Sequence, residues 1–211
     1  MSVHVVPATA DRLDDVVAVL GHGCLCQYWR MSSGDFGRAD GTARLAALRS
    51  QLGGTPAPGM LAYVDAEPAG SSPGTPRSPG VPVGWCGLGP RRQLERLVRS
   101  RTIPAIDDLP VWSIYCFTVR VGYRRRGLSR ALLAGAIDYA RRQGAPALEA
   151  YPVDPAGRRI HGTAVYVGTT GMFERAGFRR VRETDARSGR LPRQLMRLAL
   201  QPAGPSPGRP G

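Results

Sequence analysis

The chain has 211 residues and a formal net charge of +13, and all 29 of its basic residues are arginine. That length suits one α/β domain with a real core, and no run approaches the roughly 18 consecutive apolar residues needed to span a bilayer. The absence of lysine excludes chemistry that uses that side chain as a base or Schiff-base former.

Arginine stays charged and forks onto phosphate oxygens, so this composition suits an anionic ligand. The opening MSVHVVPATADRLDD lacks a basic segment followed by an apolar run, and a soluble, cytoplasmic protein is expected. Cys24, Cys26, Cys86 and Cys116 are too few for a disulfide framework in a chain of this size. His22, Cys24 and Cys26 have no second pair to complete a four-ligand set. The cysteines are expected as buried small hydrophobes, with no metal.

In chain order, Val3–Val6 reads as a first strand. Thr9 is placed to cap a helix that runs to about Gly21, with Leu13, Val16, Val17 and Leu20 on one face. The segment GHGCLCQYWRMSSGDFG reads as a loop, followed by a helix over Gly41–Leu52. Met60–Val64 and Val81–Leu88 read as strands that pair across a Pro-, Gly- and Ser-rich excursion at 67–80, expected to be flexible. Arg91–Ser100 is expected as a short basic helix and Trp112–Val119 as an apolar, aromatic strand. Gly127–Arg142 is an amphipathic helix closed by Gly144, and Ala147–Val153 a buried strand. A short helix at Thr169–Ala176 and strands near Phe178–Thr184 and Gln194–Leu200 complete the pattern. Residues 1–200 form a single domain in this reading, and 201–211 a disordered tail. The order β-α-α-β-β-β-α-β-α-β implies a mixed α/β sheet. The unit Trp112–Val153 forms a right-handed parallel crossover within it.

The chemistry concentrates where the strand ending at Val119 turns into the helix opening at Gly127. Unpaired amides at a helix start and the helix dipole favour an anion. Gly127 lets a ligand approach the backbone closely, Ser129 is small, and Arg124, Arg125, Arg126 and Arg130 surround the corner. Together these fit a diphosphate. Neither GxxxxGK[ST] nor a GxGxxG after a strand is present. Taken alone, the same arginines also read as a solvated basic turn before a core helix.

Arg124-Arg-Arg-Gly127-Leu-Ser129 resembles the Q/R-x-x-G-x-G/A acetyl-CoA motif of the GNAT acetyltransferase superfamily. Gly171-Met-Phe-Glu-Arg-Ala-Gly177-Phe178 resembles the short helix and Gly-Phe strand entry that close the coenzyme site in that family. WSIYCFTV…YPVD…YVGTTGMFERAGF is similar to a bacterial branch of it, and the likeness extends over residues 3–200. The resemblance implies a GNAT-like α/β fold: a mixed, mostly antiparallel sheet with a central β-α-β crossover and flanking helices. It implies acetyl-CoA as co-substrate, with Phe117 and Val119 pairing to the pantetheine arm. The amides from Arg125 to Arg130, Gly127, Leu128 and Ser129 among them, would hold the pyrophosphate. The thioester would lie in the gap between Trp112–Val119 and Ala147–Val153.

Two departures matter. Ser129 replaces the usual Gly or Ala, and Phe173 stands where many members carry a tyrosine that protonates the departing thiolate. Tyr166 is the nearest phenol in sequence, and it reads equally as a packed aromatic. Transfer to an amine also needs a proton sink. Glu149, on the strand facing the gap, is the side-chain candidate, and it reads equally as a salt-bridge partner for an arginine. His161, Asp107 and Asp108 are remoter choices. Tyr28, Trp29 and Arg30 would line the acceptor pocket, and a positive rim there would suit an acceptor with carboxylate or phosphate.

The function expected is N-acetylation of a primary amine on a small molecule or peptide. A second reading keeps the fold as a catalytically weak CoA-binding sensor or scaffold. A third, a nucleic-acid-binding module, rests on a pI near 10.9, but the arginines are scattered and no helix-turn-helix, zinc finger or RNP-type strand is found. Neither a specific nucleic acid nor a membrane is expected as partner, and a homodimer is left open.

Overall fold

The chain runs β1 (Val3–Pro7), α1 (Leu13–Leu20), α2 (Ser33–Arg38), α3 (Gly41–Leu52), β2 (Gly59–Val64), β3 (Val81–Pro90), α4 (Glu95–Val98), β4 (Trp112–Val119), α5 (Leu128–Arg142), β5 (Ala147–Ala150), α6 (Thr170–Glu174), β6 (Arg179–Ser188) and β7 (Leu191–Ala199). The structure is a computed structural model and describes residues 2–65, 80–157 and 166–200. Most of the expected excursion at 67–80, the tail at 201–211 and His161 lie outside the described residues.

All seven strands join one sheet in the order β1-β2-β3-β4-β5-β7-β6. Every neighbouring pair is antiparallel except β4 and β5, which the α5 crossover makes parallel. Strand β2 is buried throughout because helices cover both faces, which accounts for its unbroken apolar run. On one face Leu132, Leu133 and Ala136 of α5 meet Met60, Ala62 and Val83. On the other, Val16 of α1 and Leu48 and Leu52 of α3 meet Leu61, Tyr63 and Trp85. The alternation of Met60 and Ala62 with Leu61 and Tyr63 is the two-residue period of a strand. Strand β6 is largely exposed, and its arginines suit an edge strand that must not recruit another chain.

Several boundaries differ from the sequence reading. Thr9 does not cap the first helix; its hydroxyl bonds to Asp11, and a 3-10 turn at Ala10–Arg12 precedes α1. The expected loop 21–37 contains α2, whose start is capped by Ser32 accepting from the Asp35 amide at 3.1 Å. The pattern Ser32-x-x-Asp35 is the local signal for such a start. The expected helix at 91–100 is a 3-10 turn followed by the short α4. Strand β5 ends at Ala150 and not Val153, because Pro152 has no amide to continue the ladder; Val153 makes only isolated bridges, to Thr169 and Arg193. Cys24 is exposed, in contrast to buried Cys26 and Cys86.

The feature that shapes the functional face is a bulge in β4. Cys116 pairs with Gly87 and Ile114 with Leu88, so Tyr115 is an extra residue with no partner on β3. A bulge bends its strand and sharpens the local twist. Tyr115 and Cys116 consequently both pack on the α1/α3 face, while Phe117 returns to the α5 face. Strand β4 stays paired with β5 only from Trp112 to Ile114, and its remaining length leaves β5 behind.

Gly87 makes room for the bulged ring: a Cβ there would lie 2.7 Å from Tyr115 Cε2 and 2.9 Å from Cys26 Sγ. Gly87→Val is expected to destabilise the protein by about 2 kcal/mol through overpacking. In thermal unfolding followed by circular dichroism this is a midpoint lowered by about 4–8 °C, and an unchanged midpoint would show that the bulge does not need that space.

Candidate active site

The corner between β4 and α5 is built from local geometry. Arg125 and Gly127 have left-handed φ of 61° and 78°, and this brings the chain round sharply before the helix. Gly127 is the N-cap and offers no side chain to cap the helix. The first intrahelical bond runs from Arg130 N–H to Gly127 O at 3.0 Å, so the amides of Leu128 and Ser129 precede it. These are the orphan donors of a helix start. Apart from Gly127 and its two chain neighbours, no atom of the described residues lies within 4 Å of where a Gly127 Cβ would stand, so the space before the helix is open.

A hollow of about 290 Å³ lies there, lined by Val119, Arg125, Gly127, Ser129, Thr169 and Arg175 among others. It shares Arg130, Met172 and Arg175 with a groove of about 360 Å³ between α5 and α6, whose floor includes Ala134, Ile137 and Ala176. Arg124 turns back, its Nε donating to Val119 O at 3.2 Å. The Arg126 guanidinium sits over the Tyr123 ring, 5.7 Å from its centroid. The corner therefore presents amides and guanidinium groups to a space of phosphate size, next to a partly apolar groove.

The acetyltransferase (GNAT) family model matches residues 38–163, a span that holds this corner, the bulged strand and the parallel crossover. The chain belongs to the GNAT acetyltransferase family. Enzymes of this class move an acetyl group from acetyl-CoA to an amine, and the chain is one of them. No curated protein sequence matches it. Among solved structures, the NatC complex bound to Gag peptide and CoA is similar at a TM-score of 0.56 and 15% identity, over 95% of this chain and 100% of that one. A GNAT-family acetyltransferase of Streptococcus pneumoniae gives 0.53 and 16%, over 95% and 100%. The protein yncA of Salmonella typhimurium, solved with its cofactor acetyl-CoA, gives 0.54 and 18%, over 97% and 98%. At these identities the likeness is one of fold.

Within this GNAT fold, Phe117 and Val119 face the β4 edge that β5 has left. The Phe117 N–H donates to Tyr166 O at 2.6 Å, so the start of the segment leading to α6 already stands against that edge. Phe173 is fully buried and packs edge-on against Phe117 and Phe178, with centroids 6.1 and 5.0 Å away. It is core.

Glu149 is 1% exposed. Its Oε1 accepts from Arg197 Nη2 at 2.6 Å, its Oε2 from the Tyr151 hydroxyl at 2.8 Å, and Arg91 Nε lies 3.8 Å away. Arg197 reaches onward to Asp107, one of the remoter candidates, while Asp108 lines the neighbouring hollow of about 330 Å³ with Asp107 and Glu149. Each polar neighbour of the Glu149 carboxylate is thus a donor. This geometry is that of the salt-bridge partner.

The predicted acceptor wall divides. Arg30 spends its charge inward: Nε donates to the Tyr115 hydroxyl at 2.7 Å and Nη2 to Leu88 O at 3.2 Å. Trp29 is buried at 7% exposure, and Tyr28, at 39%, meets it edge-on. The positive charge on this wall comes from a residue outside the sequence-derived set, Arg193 of β7. It is 3% exposed, and its guanidinium sits 5.0 Å from the Trp29 ring centroid. Burial lowers its pKa from the ordinary arginine value, while the neighbouring Tyr166 acts to raise it. Its signal in the sequence is an arginine at a period-two inward position, between Leu191 and Leu195, in a strand that starts three residues before the expected Gln194. His22 and Cys24 are exposed, and Cys26 accepts from Trp85 Nε1 at 3.1 Å. Among the described residues no group of His, Cys, Asp or Glu is placed to hold a metal ion.

Glu149→Gln keeps the shape but removes the charge that Arg197 and Arg91 face. A loss of about 1.5–3 kcal/mol in urea unfolding is expected, the scale of a hydrogen bond to a charged group. Arg197 also holds the exposed Asp107 carboxyl below its ordinary value of 3.8. That contribution is complete above the ordinary value and is lost as pH falls through the lowered one. The acid limb of the wild-type stability curve should flatten in Asp107→Asn, and an unaltered limb would remove this pair from the account.

Proposed function

We propose that this enzyme acetylates a primary amine on a small molecule or peptide and holds the diphosphate of acetyl-CoA at the hollow before α5. The open approach to Gly127, with the Leu128 and Ser129 amides and the Arg125 and Arg130 guanidinium groups around it, carries the reading. An anion there meets dipole, amides and fixed charge together. The groove between α5 and α6 continues from it and suits the nucleoside end. The pantetheine arm takes over from Tyr166 O as partner of the Phe117 N–H and lies along Val119. Residues 1–200 act as one domain. Among the described residues no helix is long and apolar enough to cross a membrane, and a cytoplasmic place fits this reading.

Tyr166 is the proposed proton donor to the departing thiolate, in place of the phenol that Phe173 lacks. Burial raises its pKa, so it keeps its proton through the neutral range and can act as an acid there. Glu149 anchors Arg197 and Tyr151, and the attacking amine gives its proton to water. Free thiol released from acetyl-CoA in the presence of antibiotic, amino-acid and peptide amines tests the whole reading. Turnover with at least one amine is expected. Binding without turnover across the panel would favour a CoA sensor.

Gly127→Asp tests the cradle, because aspartate tolerates left-handed backbone better than most residues while adding bulk and like charge. Acetyl-CoA affinity measured calorimetrically should fall about 100-fold, close to 3 kcal/mol. Affinity equal to wild type would place the diphosphate elsewhere. Tyr166→Phe should lower kcat about 100-fold, the scale of a lost general acid, with acetyl-CoA affinity retained; an undiminished kcat would exclude the phenol as proton donor.

A further inference from the structure

Four buried side-chain nitrogens make no hydrogen bond among the described residues, and two of them, Arg193 Nη2 and Trp29 Nε1, belong to the stacked pair on the acceptor wall. Arg193 has no carboxylate partner among the described residues. The buried carboxylate of this region, Glu149, is committed to Arg197, Arg91 and Tyr151. Residues 158–165, RRIHGTAV, contain neither Asp nor Glu. The groups that electrostatically face Arg193 are the phenols of Tyr28, Tyr151 and Tyr166. A guanidinium buried this deeply without a counter-charge is costly. The Tyr166 phenol approaches both Arg193 and Trp29, but neither Arg193 Nη2 nor Trp29 Nε1 reaches hydrogen-bond geometry, and two adjacent donors with one neutral phenol between them call for a group that only accepts.

We propose that Arg193 receives the carboxylate of the acceptor, so that the amine substrate is an amino acid or another small amine bearing a free carboxylate. The inference rests on the acetyltransferase reading and narrows its substrate class. The charge count favours a carboxylate over a phosphate dianion: one buried guanidinium balances one negative charge, and the Trp29 indole adds a neutral donor. Arg193 Nε is already used, donating to Tyr151 O at 2.8 Å, so the carboxylate is held from the outer end of the guanidinium. Tyr28 is partly exposed and Tyr166 half-buried, so two of the phenols that face Arg193 reach solvent. Arg193 of β7 adjoins the proposed proton donor, since Tyr166 meets it through its side chain and meets β4 through its carbonyl. A polyamine or an amidated substrate would leave Arg193 uncompensated.

The test compares matched acceptors with the full-length protein and saturating acetyl-CoA. Free amino acids are set against their carboxamides, and dipeptides with N-terminal Asp or Glu against those with Asn or Gln. Free acids should exceed their amides about 100-fold in kcat/KM, the scale of losing a buried charge-assisted bond. Preference confined to the dipeptides would assign the carboxylate to a peptide side chain, which also fits Arg193. Arg193→Gln should collapse the preference to within about threefold by raising the acceptor KM, while calorimetric affinity for acetyl-CoA stays near wild type. Arg193→Lys, which keeps the charge, should restore part of the preference and guards against a variant that fails to fold. Equal use of acids and amides, or a preference that survives in Arg193→Gln, overturns the proposal. If acetyl-CoA binds but no amine turns over, the transferase reading fails separately. Titration of tryptophan fluorescence with free amino acids then decides the inference, because Trp29 adjoins the proposed anion. A saturable change that the carboxamides do not give supports it, and no change refutes it.

Discussion

Strand β4 shares its edge with β5 over three residue pairs, Trp112 to Ile114 against Leu148 to Ala150, and then the two strands part. Two independent features enforce the parting. On β4 the extra residue Tyr115 bends the strand, and Gly87 beneath it leaves room for its ring. On β5, Pro152 cannot continue the ladder. The freed edge of β4 carries the backbone groups of Phe117 and Val119, and the same strand runs directly into the corner that opens α5. A thioester that follows that edge would therefore have its diphosphate at the helix start and its acyl end in the widening gap.

The molecule buries arginine in two ways on one face. Leu191, Arg193, Leu195 and Arg197 alternate inward along β7, and Arg197 lies directly across from Glu149 in the ladder. Arg197 is answered by Glu149 and Asp107, so that pair secures the last strand against the middle of the sheet. Arg193, four residues earlier, is answered by phenols, an indole and one carbonyl. Buried ion pairs are weak contributors to stability when complete and costly when broken. The contrast between neighbours on one strand therefore sets a charge committed to the fold beside the one proposed to receive a ligand. Arg30 shows the same logic from the other side: its guanidinium is spent on Tyr115, Pro58 and Leu88, and it fastens the bulge.

The glycine-opened, arginine-rich corner proposed as the cradle was legible in the sequence because it is local. An apolar strand, an arginine-rich turn, Gly127 and an amphipathic helix lie within about thirty residues, and each acts on its immediate neighbours. Helix α3 and strands β2, β3 and β4 were equally readable from period and turn chemistry. Helix α2 was hidden because its six residues carry no apolar stripe, although the Ser32–Asp35 capping pair announced it. The role of Glu149 stayed open for a different reason. A carboxylate in a strand has the same sequence signature whether its partner is a substrate amine or an arginine nearly fifty residues away.

Period, punctuation and local charge by themselves determined the crossover, the glycine-opened helix start with its arginines, and the absence of a phenol at Phe173. Only the tertiary structure decided where the final hairpin goes. Strand β7 inserts between β5 and β6, because its two apolar flanks must both be covered, whereas arginine-rich β6 can stand at the edge. That insertion, set by long-range burial and not by any local pattern, brings Arg197 to Glu149 and Arg193 to Trp29 and Tyr166. The proposed acceptor side of the enzyme is thus assembled from residues that no reading along the chain places together.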